Sequence, residues 1–210
     1  MLAAAALASA FVALSGDLGR ALLAPVTLLV VLCAAAATDR LGANPVDKFI
    51  KEMGEWSLRF LWLTLAVSPL RELAGLPGLL RHRRALGVTA FAYAFIHFLA
   101  YAWLDQGWRL DDIVADVIQR NFILVGFVAL LLMLPLALTS FNAAIKALGG
   151  RRWQMLHRLA YVTALLGLLH FYLKKDAKND TAEVMVYAVI LAVLLGWRVM
   201  RRGGFLAMWR

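Results

Sequence analysis

Six stretches of the chain carry no charged residue and are almost wholly apolar: 21–37, 60–70, 85–104, 121–145, 159–173 and 184–197. In hydrocarbon every backbone N–H and C=O must find its partner inside the protein, so runs of this kind fold as helices. Several fall short of the roughly 20 residues that cross about 30 Å of hydrocarbon. The flanking Arg59, Arg71, Arg158 and Arg198 are expected to close that gap by snorkelling to the headgroups. Trp56, Trp103, Trp108, Trp153 and Trp197 stand near the ends of the runs, where interfacial aromatics belong. The chain is 63% hydrophobic, against about 45 to 50% apolar in soluble domains. The expected fold class is an all-α integral membrane protein, a six-helix transmembrane bundle.

The connectors carry breakers: Gly42 and Asn44 with Pro45, Pro69, Gly75 with Pro77 and Gly78, Gly149 with Gly150, and a polar run at 176–181. None is long enough for a second domain. The expected division is an apolar extension at 1–19, a transmembrane domain at 20–202 and a short tail at 203–210. The extension lacks a basic start and reads as a weak signal sequence or a leading helix. Pro135 lies inside the fourth run and is expected to kink that helix. Cys33 is the single cysteine, so no intrachain disulfide can form.

The net charge of +9 is placed by topology and does not indicate nucleic acid binding. With connectors assigned to alternate sides, thirteen of the Lys and Arg residues share the side of the N-terminus and nine lie opposite. The positive-inside rule therefore puts both termini in the cytoplasm. All acidic residues except Asp17 and Glu72 fall on the outer side. There the loop carrying Asp105, Asp111, Asp112 and Asp116 is the most negative segment and is expected to dock a basic partner.

Three of the four histidines, His97, His157 and His170, lie in or beside apolar runs, where an ionisable group is a functional hypothesis by default. Imidazole is also a common axial ligand of haem iron. His97 and His170 fall at similar depth in the outer halves of the third and fifth spans. Stepping back from each by helical turns gives Ala94, Ala90 and Gly87, and Gly167, Thr163 and Ala160. Such small residues leave a slot for a flat macrocycle between two helices. They equally serve close helix packing, with each histidine bonding across the interface. His157 stands thirteen residues before His170, at the inner end of the same expected helix. Those thirteen steps leave the two roughly 140° apart on an ideal helix, so a shared stripe needs a kink or a different binding side. His82, within a basic run, is expected to be solvated. A metal or proton transporter using the histidines, and a non-redox membrane anchor, are the competing classes.

A set of local motifs extends this reading: 41–45 with its Asn44-Pro45 pair, Ser68-Pro69-Leu70-Arg71, 83–87 opening on Arg83-Arg84, 93–97 ending at His97, 138–140, Trp153, Leu156-His157-Arg158-Leu159 and Tyr161. Over about 41–202 the chain resembles the haem-binding membrane subunits of bacterial periplasmic methionine sulfoxide reductase systems, within the ferric reductase-like transmembrane superfamily. The resemblance implies a cytochrome b-like bundle in the bacterial inner membrane. That bundle would pass electrons from ubiquinol or menaquinol to a periplasmic molybdopterin-containing reductase, which repairs oxidised methionines. It further implies His97 and His170 as the haem b axial ligands and haem iron ligands, and His157 as ligand of a second haem or as an inner redox site. FMN is implied as a cofactor with no residue assigned to it. No G-x-G-x-x-G follows a strand, so a quinol donor is expected in place of a dehydrogenase domain.

Overall fold

The computed structural model describes residues 44–176 and 181–201, with helical residues at 25–27, 29–32 and 34. The extension at 1–19, Cys33 and the tail at 203–210 lie outside the described residues, as does most of the 21–37 run.

The first long helix, α1 (Pro45–Ala74), has 30 residues, about 45 Å at 1.5 Å per residue. Its boundaries follow from the breakers. The Asn44 side chain accepts from the Asp47 N–H, Pro45 occupies the first turn where its missing N–H costs nothing, and Gly75 closes the helix at φ 64°. The apolar run 60–70 is the inner part of this longer helix. A 3₁₀ turn (Pro77–Leu79) leads into α2 (Leu80–Ala100), which continues as one π-helical stretch (Tyr101–Asp105). The short α3 (Leu110–Gln119) follows, then α4 (Asn121–Leu138), α5 (Asn142–Leu148), α6 (Gly150–Leu156), α7 (Leu159–Asp176) and α8 (Ala182–Arg201). Among the described residues, four helical stretches are long and apolar enough to cross a membrane: Pro77–Asp105, Asn121–Leu138, Gly150–Lys175 and Ala182–Arg201. The chain is an all-α, multi-pass membrane protein.

One apolar run, and the helix expected to join His157 to His170, are interrupted. The run 121–145 breaks after Leu138, because the hydroxyls of Thr139 and Ser140 bond back to the Pro135 and Leu136 carbonyls (both 2.6 Å) and end α4 one turn beyond Pro135. The break between α6 and α7 falls at His157 and Arg158. His157 therefore caps α6 and does not share a helix with His170, contrary to the single helix expected for the two.

The core runs along α1, with Met53 and Leu65 fully buried. α2 packs closely on α1, and the Ser57 hydroxyl donates to the Ala90 carbonyl at 2.8 Å. The Tyr93 hydroxyl reaches the Pro25 carbonyl at 2.6 Å, which ties the 25–34 segment to the bundle. Ion pairs lie near the two ends. Arg59 bonds Glu55 at 2.8 Å and Lys175 lies 3.3 Å from Glu183 at one end, while Arg201 bonds Glu72 at 3.0 Å at the other.

Arg198 departs from the sequence expectation. It does not snorkel: it is 7% exposed, donates to the Leu65 carbonyl at 2.9 Å and to the Tyr161 hydroxyl, and lies over the Tyr161 ring. Facing the bundle, its two terminal nitrogens donate to a phenol and a backbone carbonyl, while its buried Nε–H has no acceptor among the described residues.

Candidate functional site

Among the described residues, two cavities bear on the histidines. The one at the end that the charge pattern of the sequence is expected to place outside, called the outer cavity below, is about 450 Å³ and is lined by His97, His170, Gly54, Gly126, Phe98 and Phe127 among others. The inner one, about 730 Å³, is lined by His157 and a group of arginines. Leu61, Met133 and Thr163 line both, so the inner cavity abuts the outer one through one layer of side chains.

In the outer cavity the rings of His97 and His170 are neighbours, with centroids 6.2 Å apart and planes nearly perpendicular at 77°. Each is held in the same way. His97 Nδ1–H donates to the Ile50 carbonyl at 2.7 Å, and His170 Nδ1–H donates to the Phe122 carbonyl at 2.6 Å. A carbonyl can only accept, so both rings carry the proton on Nδ1 and keep the Nε2 lone pair for a ligand. Helix geometry explains why glycine stands four residues after each carbonyl. A helical carbonyl points at the N–H of residue i+4, so a side chain that reaches it passes over that residue. A Cβ at Gly126 would meet His170 Nδ1 at 2.7 Å, and one at Gly54 would meet His97 Nδ1 and Cε1 at 3.1 Å. The two glycines are the notches in which the imidazoles sit.

The spacing of the two rings matches what an iron held between two imidazoles requires. Metal to imidazole bonds of about 2.0 to 2.1 Å, with each ring centre roughly 1 Å beyond its nitrogen, place the centres about 6 Å apart. The surrounding Leu58, Leu61, Phe98, Phe127 and Leu130 supply the apolar walls a porphyrin needs.

The small-residue stripes divide between the two readings given to them. Ala160, Thr163 and Gly167 line the cavities. On α2, Ala90 is buried and its carbonyl is taken by Ser57, so that part of the stripe serves close packing on α1.

His157 is elsewhere. Its ring stacks on Trp153 with centroids 3.9 Å apart, Nδ1–H donates to the Trp153 carbonyl at 3.1 Å, and Nε2 is buried without a hydrogen-bond partner among the described residues. It is the one imidazole lining the inner cavity, and the other side chains there include no second axial imidazole. The residues present therefore do not fit a bis-imidazole haem at this level. His82 accepts from its neighbour Arg81 at 3.1 Å and does not line the cavity.

The acidic outer loop is mostly helix. Asp116 accepts from the Tyr101 hydroxyl and from Gln106, both at 3.0 Å, and pairs with Arg120; Asp112 pairs with Arg109. Asp105 and Asp111 remain exposed. Sequence reasoning missed Gly54, Gly126, the Ile50 and Phe122 carbonyls and buried Arg198. A glycine inside an apolar run was the available signal for Gly126; a carbonyl four residues before it has none.

A family model described as ferric reductase like transmembrane component matches residues 53–168. The protein-methionine-sulfoxide reductase heme-binding subunit MsrQ of Polaromonas naphthalenivorans is 53% identical over 165 residues, 79% of this chain and 75% of its own length. The subunit of the same name from Azospira oryzae is 55% identical over 165 residues, 79% of this chain and 70% of its own. That from Ralstonia nicotianae is 51% identical over 177 residues, 84% and 80% respectively. No solved structure gives a significant match.

Proposed function

We propose that this chain, which belongs to the ferric reductase-like transmembrane family and within it to the MsrQ heme-binding subunits, binds haem b between His97 and His170 and carries electrons across the membrane. The observation that carries the reading is the adjacent pair of imidazoles, 6.2 Å between centroids, each anchored through Nδ1 so that Nε2 is left for iron. Haem, when bound, supplies a one-electron carrier.

The protein's own contributions can be stated residue by residue. The Ile50 and Phe122 carbonyls fix the ring tautomers and raise the basicity of Nε2. Gly54 and Gly126 let the rings approach those carbonyls, and the apolar walls keep water away. As part of the same proposal, quinol from the bilayer is the donor and a periplasmic molybdopterin-containing methionine sulfoxide reductase is the acceptor. FMN is a further cofactor and His157 belongs to an inner redox site. The protein resides in the bacterial inner membrane with both termini cytoplasmic, and 20–202 forms one transmembrane domain.

The purified protein should show the sharp reduced bands of low-spin bis-imidazole haem. His97→Ala and His170→Ala should each remove them and lower the haem-to-protein ratio. Unchanged spectra in both variants would overturn the assignment.

A further inference from the structure

The short helix α3 divides its surface into three arcs. At about 100° per residue, Ile113, Asp116 and Val117 share one arc, Leu110, Val114 and Ile118 the next, and Asp111, Ala115 and Gln119 the third. The first arc faces protein: Ile113 is 8% exposed, and Asp116 accepts from Tyr101 and Gln106 and pairs with Arg120. The third carries Asp111 and Gln119, both exposed. Between them the aliphatic arc is bare, with Leu110 and Ile118 each 70% exposed and Val114 56%. An apolar arc with protein on one side and polar groups on the other is the pattern of a helix lying along a boundary between hydrocarbon and water.

The chain on either side of α3 continues this surface. Arg120 alone separates α3 from α4, whose Leu124, Val128 and Leu131 are exposed on a helix apolar enough to cross a membrane and therefore meet lipid. Ahead of α3, Trp103 and Trp108 are exposed, and indoles of this kind settle at headgroup level. Trp108 takes φ 60° beside Gly107 at φ 57°, a left-handed pair that turns the chain from α2 into α3. A bulky residue is costly in that conformation. Its side chain is too exposed for packing within the chain to offset the whole cost. The segment carries Asp111, Asp112 and Asp116 against Arg109 and Arg120, so it has no excess of positive charge with which to be drawn to anionic lipid. Apolar burial is the attraction it has to offer.

We propose that α3 lies flat in the leaflet at the outer end of the bundle, with Leu110, Val114 and Ile118 at the acyl boundary, Trp108 among the headgroups and Asp111 in water. Asp116 ties the helix to Tyr101, which lines the histidine cavity one turn beyond His97. The bilayer surface thereby sets the level at which that cavity opens. The inference stands on the membrane-spanning fold and is independent of haem.

The full-length protein carrying Cys33→Ser is labelled with a nitroxide at one position at a time, through Leu110→Cys, Val114→Cys and Ile118→Cys on the aliphatic arc and Asp111→Cys, Ala115→Cys and Gln119→Cys on the polar one. Each is placed in phosphatidylcholine nanodiscs. Collision with oxygen, which concentrates in hydrocarbon, is compared with collision with a neutral nickel chelate, which stays in water. The first three labels should favour oxygen over the chelate by several-fold, and the other three should show the reverse. High chelate access at all six positions overturns the proposal and leaves the arc free for a water-soluble partner. Low access to both reagents on the aliphatic arc, with spin–spin broadening between labels, overturns it in favour of a second copy of the chain. A measurement that needs no cysteine uses Trp108→Phe to isolate the emission of Trp108 in nanodiscs of brominated lipid. Bromine near the headgroup should quench that emission more strongly than bromine near the chain end, and the absence of quenching by either lipid overturns the proposal.

Discussion

Gly126 and Gly54 are small residues with a large say over two rings. Replacing Gly126 with alanine forces a methyl to within 2.7 Å of His170 Nδ1, closer than real contacts allow, so the ring must turn or lose its bond to Phe122. The cost is about 1 to 3 kcal/mol for overpacking of this kind. The angle between axial imidazole planes sets the anisotropy of the low-spin ferric signal. Gly126→Ala should therefore shift the electron paramagnetic resonance g-values and the midpoint potential of a folded protein, Gly54→Ala should do so less, and Gly87→Ala, whose added Cβ would lie 3.6 Å from Thr64, should do neither. A Gly126→Ala protein with unaltered g-values would show that the notch does not hold the ring.

At the scale of elements, the outer end of α2 is tied to α3 through side chains. Tyr101, in the π-helical stretch one turn beyond His97, donates to Asp116, which also binds Gln106 and Arg120. Asp116 thus serves the fold more than any partner. Asp116→Asn should lower the thermal unfolding midpoint in detergent, in line with about 1 to 3 kcal/mol for a bond to a charged group, and leave partner kinetics unchanged. α3 itself presents Leu110, Val114 and Ile118 to the outside, spaced one turn apart and all more than half exposed. On a membrane-spanning protein such a stripe suits the lipid interface. The helix breaks belong at this scale too: hydroxyls bonding back to carbonyls ended α4, and His157 fell at a junction, so its ring points toward a different cavity from that of His170.

Over the whole molecule, charge is sorted by end. The arginine-rich end gathers Arg71, Arg83, Arg84, Arg158 and Arg201 around the inner cavity, while the outer end carries Asp105 and Asp111 exposed beside the histidine cavity. Reversing both aspartates to lysine should slow delivery of electrons to a basic periplasmic reductase by about tenfold at low ionic strength and flatten its salt dependence. Stopped-flow reoxidation across a salt series checks this, and identical curves would place docking elsewhere. Much of this layout could be read from the chain. Uncharged runs demanded helices because lipid offers the backbone no partners, Asn44 with Pro45 and Gly75 marked the ends of α1, and His97 with His170 stood out at one depth. These are local or periodic signals, carried by a few neighbouring residues each. Which helix supplies the carbonyl for each imidazole, which glycine makes room for it, and whether Arg198 meets headgroups or a cavity depend on contacts between residues 47 to 133 positions apart. Side-chain spacing along one helix cannot encode the face another helix will offer it, so those features emerged only once the bundle was assembled.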